Sequence, residues 1–524
     1  MYEDIKAHLS NGEYKLAKEK IESFCRKNNI NIFEEDKWYD CEKFEGEDIY
    51  LLYASVCEAL GDSHGELVAI RNGLLRNSRN YELYYMLGIY YEFFNINKAY
   101  LCFDMAYRFC EDKDDKKLIF AEKEKCKNDE FFRLKNTSFV ILSFNDKDII
   151  QECLKQVRTN MLEGDEIIVV DNASTDGVDN FLKEEKFIKL ILNSENVGFS
   201  KGCNIGAANA SSKNDILFLN NDAIMTPGSY FSMKMSLYDE RNIGAVGAVS
   251  NNALCQNADL FDFKIKSIDD AVKIGDMIST FGMESTKEMV RLTGFCILLS
   301  RNAIDEISFY KEEEYNLFDS FFSPAYFEDD DLGMRLSAAG FRQLLCYNAF
   351  VYHVGGEDSG KSFNTKKTNV IEESMEKFKS KWGFDIWNFE AVNEELVGAV
   401  CKIVKDKATR FSFLELYTGM GTNLSELKFR YKNAYFAGCE QNKKLAMLGR
   451  YMGDIKTCDI EDICKAFPKN SFDIICLHDA LLRCDDKELF LTKICSLLKD
   501  DGTLISSKDC MSELSKYKKN IVFI

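Results

Sequence analysis

From Ser138 onward the sequence alternates short apolar runs with amphipathic stretches of helical period, and this alternation restricts the fold more than any other feature. The runs are Phe139 to Leu142, Ile167 to Val170, Leu190 to Leu192 and Ile216 to Leu219; Ile149, Ile150, Cys153, Leu154 and Val157 carry the intervening helical spacing. A run that is apolar at every position is buried on both faces, the condition of a parallel strand covered by crossover helices. The chain is therefore expected to be α/β to about Trp382, with a second αβ segment starting near Phe411. Open sheets of this kind bind ligands at the carboxyl ends of their strands. Those ends carry Ser143-Phe144-Asn145, Asp171-Asn172, Asn193 with Asn196-Val197-Gly198-Phe199, and Asn220-Asn221-Asp222.

The residues before this region have Leu, Tyr and Ala at three- and four-residue spacing, which predicts helices. At 524 residues the chain exceeds one ordinary core, and it divides into 1–130 helical, 136–385 α/β and 395–524 α/β. With only 3 prolines and no Gly/Ser linker, the parts are expected to be closely coupled. A formal charge of -19 argues against nucleic acid as a partner. An anionic ligand would need local cationic help from a metal, from helix N-termini, or from lysines such as Lys201 and Lys361. The 19 cysteines lack the spacing of a disulfide scaffold or a paired zinc site and read as reduced core thiols. Glu3, Asp4 and Lys6 interrupt the start, and no run of about 20 apolar residues occurs, so no transmembrane segment and a cytoplasmic location are expected.

Tyr50, Tyr53, Ala54, Cys57 and Gly61 recur 34 positions later as Tyr84, Leu87, Gly88, Tyr91 and Asn95. This resembles the tetratricopeptide repeat and implies a surface for a polypeptide or a dimer partner; a helical packing module without a ligand is the alternative.

SFVILSFND, IIVVDNASTDG, NSENVGFSKGCNIGAANA and LFLNNDAIMTPG, followed by TGFCILLSR, YFEDDDLGMRLSAAGF and VYHVGGEDSG, resemble a family 2 glycosyltransferase of the GT-A fold. The resemblance implies a nucleotide-sugar donor and a divalent metal, Mn2+ or Mg2+, as cofactor. Asp222 would be the metal carboxylate and His353 a second ligand. The usual DxD is here Asn220-Asn221-Asp222, leaving one charged ligand and weak metal binding without the nucleotide. Asp171 would recognise the nucleobase or ribose, although a helix N-cap is its other reading. Ser143, Asn145, Asn172, Gly198, Lys201, Asn220 and Asn221 complete the donor site, with Gly198, Gly202 and Gly206 allowing close backbone approach. The acidic run Glu328-Asp329-Asp330-Asp331 would open a helix. By the resemblance Asp329 is the general base that deprotonates the acceptor, with inversion at the anomeric carbon; Asp330 and Asp331 would be helix-cap and supporting carboxylates. The wall of the donor pocket is expected in variable loops such as Asn251 to Gly282.

FSFLELYTGMGTNL, then YFAGCEQN, CDIED and FDIICLHDALL, resemble the S-adenosylmethionine-binding half of a class I methyltransferase. Glu415, Gly419 and Gly421 would line the methionine end, Glu440 the ribose and Asp459 the adenine. Tyr417 replaces the first glycine of the motif, and the sequence stops about twenty residues after a fifth strand at Thr503 to Ser506, so a structural or dimerising remnant is expected rather than methyl transfer.

These readings combine into an inverting, metal-dependent transferase of a sugar, N-acetylglucosamine from UDP first, to Ser or Thr of a bacterial surface protein such as flagellin. A rhamnosyl- or hexosyltransferase of cell-surface polysaccharide is the rival enzyme, and a non-catalytic repeat scaffold or a bifunctional methylating transferase the rival classes. A homo-oligomer is compatible with all of them.

Overall fold

The computed structural model describes residues 2–34, 48–253, 255–257, 265–280, 285–355, 364–515 and 520–524. Lys361 and parts of the Asn251 to Gly282 loop lie outside them.

Seven helices precede the first strand among the described residues: α1 (Tyr2–Ser10), α2 (Tyr14–Lys27), α3 (Asp48–Leu60), α4 (Ser63–Arg76), α5 (Tyr81–Glu92), α6 (Ile96–Phe109) and α7 (Lys113–Lys127). Their starts are written in the sequence. Asp62, Asn80, Asn95 and Asp112 each accept hydrogen bonds from backbone N–H groups of the following first turn. The helices pack as hairpins, α3 on α4 and α5 on α6. A Cβ on Gly88 would meet the Phe103 ring at 2.4 Å, so the α5–α6 approach requires glycine there.

The central sheet has nine strands: β1 (Thr137–Ser143), β2 (Glu166–Asp171), β3 (Ile188–Leu192), β4 (Asp215–Asn220), β5 (Ala223–Met225), β6 (Ile243–Val249), β7 (Thr286–Met289), β8 (Cys296–Leu299) and, after the small hairpin of β9 (Phe309–Lys311) and β10 (Glu314–Asn316), β11 (Arg342–His353). Their order is β3-β2-β1-β4-β8-β6-β11-β5, with β7 also on β11. β3, β2, β1 and β4 are parallel, β8 runs against β4 and β6, and β5 runs against the end of β11. Crossover helices α8 (Lys147–Asn160), α9 (Val178–Glu184) and α10 (Phe199–Ala208) join the first four strands; α11 (Ser229–Leu237), α12 (Ile268–Thr280), α13 (Arg301–Ile307) and α14 (Glu328–Ala339) follow. Strand order reverses at β1 and β4, so their carboxyl ends open a crevice.

The helical layer docks on α11 and on the C-terminal ends of α8 and α11, at the amino ends of β2 and β6. Asn95 donates to the Tyr238 carbonyl at 2.7 Å, Lys98 pairs with Asp239 at 2.5 Å, and Arg108 reaches the Thr159 and Asn160 carbonyls. These partners end α8 and α11, where the chain turns into β2 and β6. Phe231 and Met235 of α11 belong to the helical core itself. Beneath them Lys234, fully buried, binds Asp215 at 2.9 Å and the Lys135 carbonyl at 2.6 Å, tying the starts of β1 and β4 to α11.

After α15 (Asn364–Trp382) come the short α16 (Trp387–Glu390) and α17 (Glu394–Ile403), then an all-parallel sheet of β12 (Ser412–Leu416), β13 (Tyr435–Glu440), β14 (Asp454–Thr457), β15 (Phe472–His478), β16 (Leu498–Ser506) and β17 (Asn520–Phe523). Its order is β14-β13-β12-β15-β16-β17, with α18 (Thr422–Arg430) after β12 and α19 (Lys443–Leu448) after β13. The sequence reading stopped at the fifth strand, yet β17 adds a sixth, parallel to β16 through Leu504 and Ile521. The two sheets meet closely: Ser425 donates to the Glu288 carbonyl at 2.6 Å, Lys287 pairs with Glu426, and Tyr347 stacks on Phe429 at 4.7 Å. Cys439 and Cys458, Cα atoms 6.0 Å apart, are joined as a disulfide, the one pair among the described residues that departs from the reading of the cysteines as reduced core thiols. Among the described residues no helix is long and apolar enough to cross a membrane.

Candidate active site

The β4 end and the β5–β11 pairing together create the most distinctive group. β5 runs against β11 with Ala223 opposite His353, and Val354 donates to the Asp222 carbonyl at 3.0 Å. This register brings His353 Nε2 to 3.2 Å from Asp222 Oδ1. His353 Nδ1 lies 2.9 Å from the Asn252 carbonyl, which can only accept, so Nδ1 carries the proton and Nε2 is turned toward the carboxylate. Burial opposes a charge on this imidazole, but the Asp222 carboxylate outweighs it, and the pKa is raised. Gly355 packs closely on the other carboxylate oxygen: a Cβ there would stand 2.1 Å from Asp222 Oδ2, so this approach requires glycine. A carboxylate and an imidazole facing each other across a proton form a donor set whose chemistry suits a divalent cation. Among the described residues no third His, Cys, Asp or Glu joins them, so the remaining coordination positions would fall to oxygens of a ligand.

A cleft of about 380 Å³ runs from Asn220 past Phe199 and Gly294 to Tyr326, Phe327, Asp329 and Trp387. Tyr326 and Phe327 have φ of 75° and 67°, a left-handed pair of non-glycine residues that turns the chain sharply into α14. Of the four acids that follow, only Asp329 is not buried. It accepts the Gly294 N–H at 3.2 Å through Oδ2. Burial, with repulsion from Asp329, pushes the Glu328 carboxyl well above its usual range, and Glu328 Oε2 has no hydrogen-bond partner among the described residues. Asp330 is not the helix cap that its position suggests. It is buried against Arg291 at 2.5 Å; burial raises its pKa, opposed by that guanidinium and assisted by Asp329 and Glu390. Asp331, fully buried, holds Arg335 at 2.8 Å, Lys381 at 2.6 Å and the Trp382 indole N–H at 2.8 Å, fastening α15 to α14.

Several residues expected at the donor site are engaged elsewhere. Asn172 spends its whole amide on the loop before α10: it donates to Asn196 and the Gly198 carbonyl, and it accepts from Asn193 and the Val197 N–H. Ser143 is fully buried with an unpartnered Oγ. The glycines serve packing rather than ligand approach. Gly198 faces the Pro324 carbonyl, while Gly202 and Gly206 let α10 press on Leu142 and Val140. Lys201 is exposed and points toward Glu314 of the β9–β10 hairpin, 3.9 Å away. Asp171 accepts from both the N–H and the hydroxyl of Ser174, shaping the loop after β2. Asn145, at φ 63°, accepts the Thr175 N–H, and its carbonyl receives Asn221 at 3.3 Å across the β1–β4 crevice. Arg291 and Trp387, which wall the cleft with Asp329, were not singled out in the sequence. A lone arginine ahead of the Thr293-Gly294-Phe295 turn was the available signal for the first; Trp387 carried none.

In the C-terminal sheet the acids at the corresponding strand ends bond to their own chain. Glu415 is buried and receives Thr418, Asn423 and His478, the last at 2.8 Å. Burial disfavours the His478 charge, but the Cys476 sulfur and Glu415 outweigh it and lift the imidazole to about 11. Glu440 accepts the N–H groups of Gly419 and Asn442. The Phe389 ring lies where a Cβ on Gly419 would approach to 2.7 Å, and Thr422 donates to the Phe389 carbonyl.

The switch-point crevice and the strand-end carboxylates define the class: a GT-A-type α/β sheet, flanked by an N-terminal helical region and a Rossmann-like C-terminal sheet. The family model described as Glycosyl transferase family 2 matches residues 138–271, and one described as Methyltransferase domain matches residues 438–522, so the chain carries a domain of each kind. Asp329 and His353 lie beyond the first match. Among solved structures, GalNAc-T7 with UDP, GalNAc and Mn2+ is similar over 44% of this chain and 45% of its own, at 14% identity and TM-score 0.33. The mannosyltransferase PcManGT from Pyrobaculum calidifontis, in complex with GDP-Man and Mn2+, matches 53% of this chain and 75% of its own, at 14% identity and TM-score 0.31. Glucosyl-3-phosphoglycerate synthase from Mycobacterium tuberculosis matches 48% and 81%, at 13% identity and TM-score 0.32. The chain thus spans less than half the length of the first of these. No curated protein matches the sequence.

Proposed function

We propose that the chain is an inverting glycosyltransferase that takes a sugar from a nucleoside diphosphate to an acceptor hydroxyl, with residues 136–385 as its catalytic domain between a helical domain, 1–130, and a methyltransferase-like domain, 395–524. The observation that carries this reading is the pairing of Asp222 with His353 at the end of the β1–β4 crevice, joined to the cleft of Asp329 through Phe295, whose ring lies 5.3 Å from that of His353. When bound there, a divalent cation such as Mn2+ or Mg2+ supplies Lewis-acid neutralisation of the departing diphosphate. Asp222 and His353 would hold it, Asp171 and Asn145 shape the loop that receives the nucleotide, and Asp329 takes the proton from the acceptor hydroxyl. Glu328 is buried, which leaves Asp329 as the open carboxylate. UDP-N-acetylglucosamine is the first donor to try. The methyltransferase-like domain carries no step of this reading.

Two acceptors divide the proposal. Ser or Thr of a surface protein such as flagellin, bound by the helical repeats, is one; a growing polysaccharide is the other. The docking of the helical layer at the amino ends of β2 and β6, opposite the carboxyl ends that carry the acids, favours the carbohydrate acceptor. Offering the protein a panel of nucleotide sugars with Mn2+, and following nucleotide release with and without each acceptor class, tests the reading. Absence of release from every donor would refute it.

A further inference from the structure

The short helix α16 touches both ligand-type sites of the chain. Trp387, at its start, lines the cleft of Asp329, its ring 5.6 Å from that of Phe327, and it remains 46% exposed. An indole left half-uncovered inside a cleft offers an apolar face for a ligand to cover. Phe389 turns the opposite way and packs on Gly419 of the C-terminal sheet, its carbonyl held by Thr422 at 2.6 Å. Glu390 ends the helix in an ion pair with Arg291, which also holds Asp330 next to Asp329. The helix is thereby pinned between the two sheets, with its tryptophan on the cleft side.

The composition of that cleft indicates what covers the indole. Phe199, Tyr326, Phe327 and Trp387 supply aromatic faces, and Glu328 and Asp329 supply hydrogen-bonding oxygens. A pyranose ring presents the complement, an apolar C–H face and a rim of hydroxyls. The surface that could hold a polypeptide, the helical layer, stands at the amino ends of β2 and β6.

We propose that Trp387 is the platform on which a pyranose ring of a carbohydrate acceptor stacks, and that the C-terminal domain acts as the brace that holds α16 in the glycosyltransferase cleft. The proposal rests on the glycosyltransferase reading above. Trp387 is a specificity-determining residue supplied from outside the central sheet, and Phe389, acting through it, is a positioning residue.

The test uses the full chain and a panel of methyl glycosides, with a Ser/Thr-containing peptide as the competing acceptor. Tryptophan emission should change on adding at least one glycoside, and that change should vanish in Trp387→Phe. In transfer assays Trp387→Ala should raise the acceptor KM roughly tenfold with a smaller fall in kcat, Trp387→Phe should recover part of the loss, and Phe389→Ala should raise the same KM. The idea is overturned if no glycoside alters the emission, if the change survives in Trp387→Phe, or if the peptide alone is glycosylated. Donor turnover by the unaltered chain is scored separately: its absence removes the glycosyltransferase reading, whereas the emission change judges Trp387 on its own.

Discussion

The chain contains two sheets, one mixed and one all-parallel, with acids at the ends of their parallel strands, and the two set those acids in different surroundings. In the central sheet Asp222 faces an imidazole at the end of the β1–β4 crevice, and Asp329 faces a cleft. In the C-terminal sheet Glu415 and Glu440 are buried and wholly occupied by their own chain, and Phe389 packs on the glycine turn. A shared strand-turn-helix geometry therefore leaves its acids in different surroundings. What separates the two sites is whether the polar atoms at the strand ends are left for something else to satisfy.

The sharpest way to break the comparison is to remove the open carboxylates. Asp222→Ala should abolish Mn2+-dependent donor turnover and Mn2+ binding measured by calorimetry while the circular dichroism is unchanged. Asp329→Asn should cut transfer by about 10^2 to 10^4 and alter nucleotide affinity only a few-fold; near-normal transfer would refute Asp329 as the base. Asp330→Asn is no neutral control, because it disturbs a buried ion pair.

In the C-terminal sheet the expected loss is in stability rather than turnover. Glu415→Gln leaves His478 without its carboxylate and should cost about 3 to 5 kcal/mol by denaturant unfolding. The His478 contribution is full below the ordinary histidine value and fades as pH rises through about 11, so the deficit should shrink in strongly alkaline buffer. If Glu415→Gln lowered sugar transfer without destabilising the protein, the contrast between the sites would fail.

A smaller effect separates proton from metal at Asp222. The raised pKa of His353 means that its proton stabilises the metal-free protein below the ordinary value, near 6.5, and that this contribution is lost as pH rises through the raised value. Mn2+ affinity should increase over that window, and a flat profile would remove His353 as a ligand. The least effect is expected from Lys201→Ala, within about 0.5 kcal/mol in stability and within about twofold in donor affinity, since this lysine is exposed on the hairpin side.

The strands and their order of appearance were legible because runs such as Ile167 to Val170 are apolar at every position, a pattern only double-sided burial explains. The Asp222–His353 pairing was legible through the resemblance, and its geometry follows from the β5–β11 register. The roles of Asn172, Gly198 and Lys201 were not, because which atoms an asparagine amide or a glycine faces is decided by loops far apart in sequence, Pro324 among them. The ion pair of Asp330 was hidden for the same reason: Arg291 lies 39 residues away in the chain. Nor does helical periodicity say which end of a sheet a helical layer will meet.

That last docking bears on how the protein can be divided. Phe231 and Met235 of α11, a helix of the central sheet, sit inside the helical core, and Tyr84 meets Phe231 edge-on at 5.9 Å. A shortened chain beginning near Asn136 would carry these residues as a bare apolar patch above Lys234 and Asp215, and patches of that kind drive self-association. The boundary read from secondary structure is therefore not a boundary of solubility: the smallest catalytic piece that stays monodisperse should retain α5 and α6, and a loss of activity on trimming the helices would report precipitation before it reported anything about acceptors.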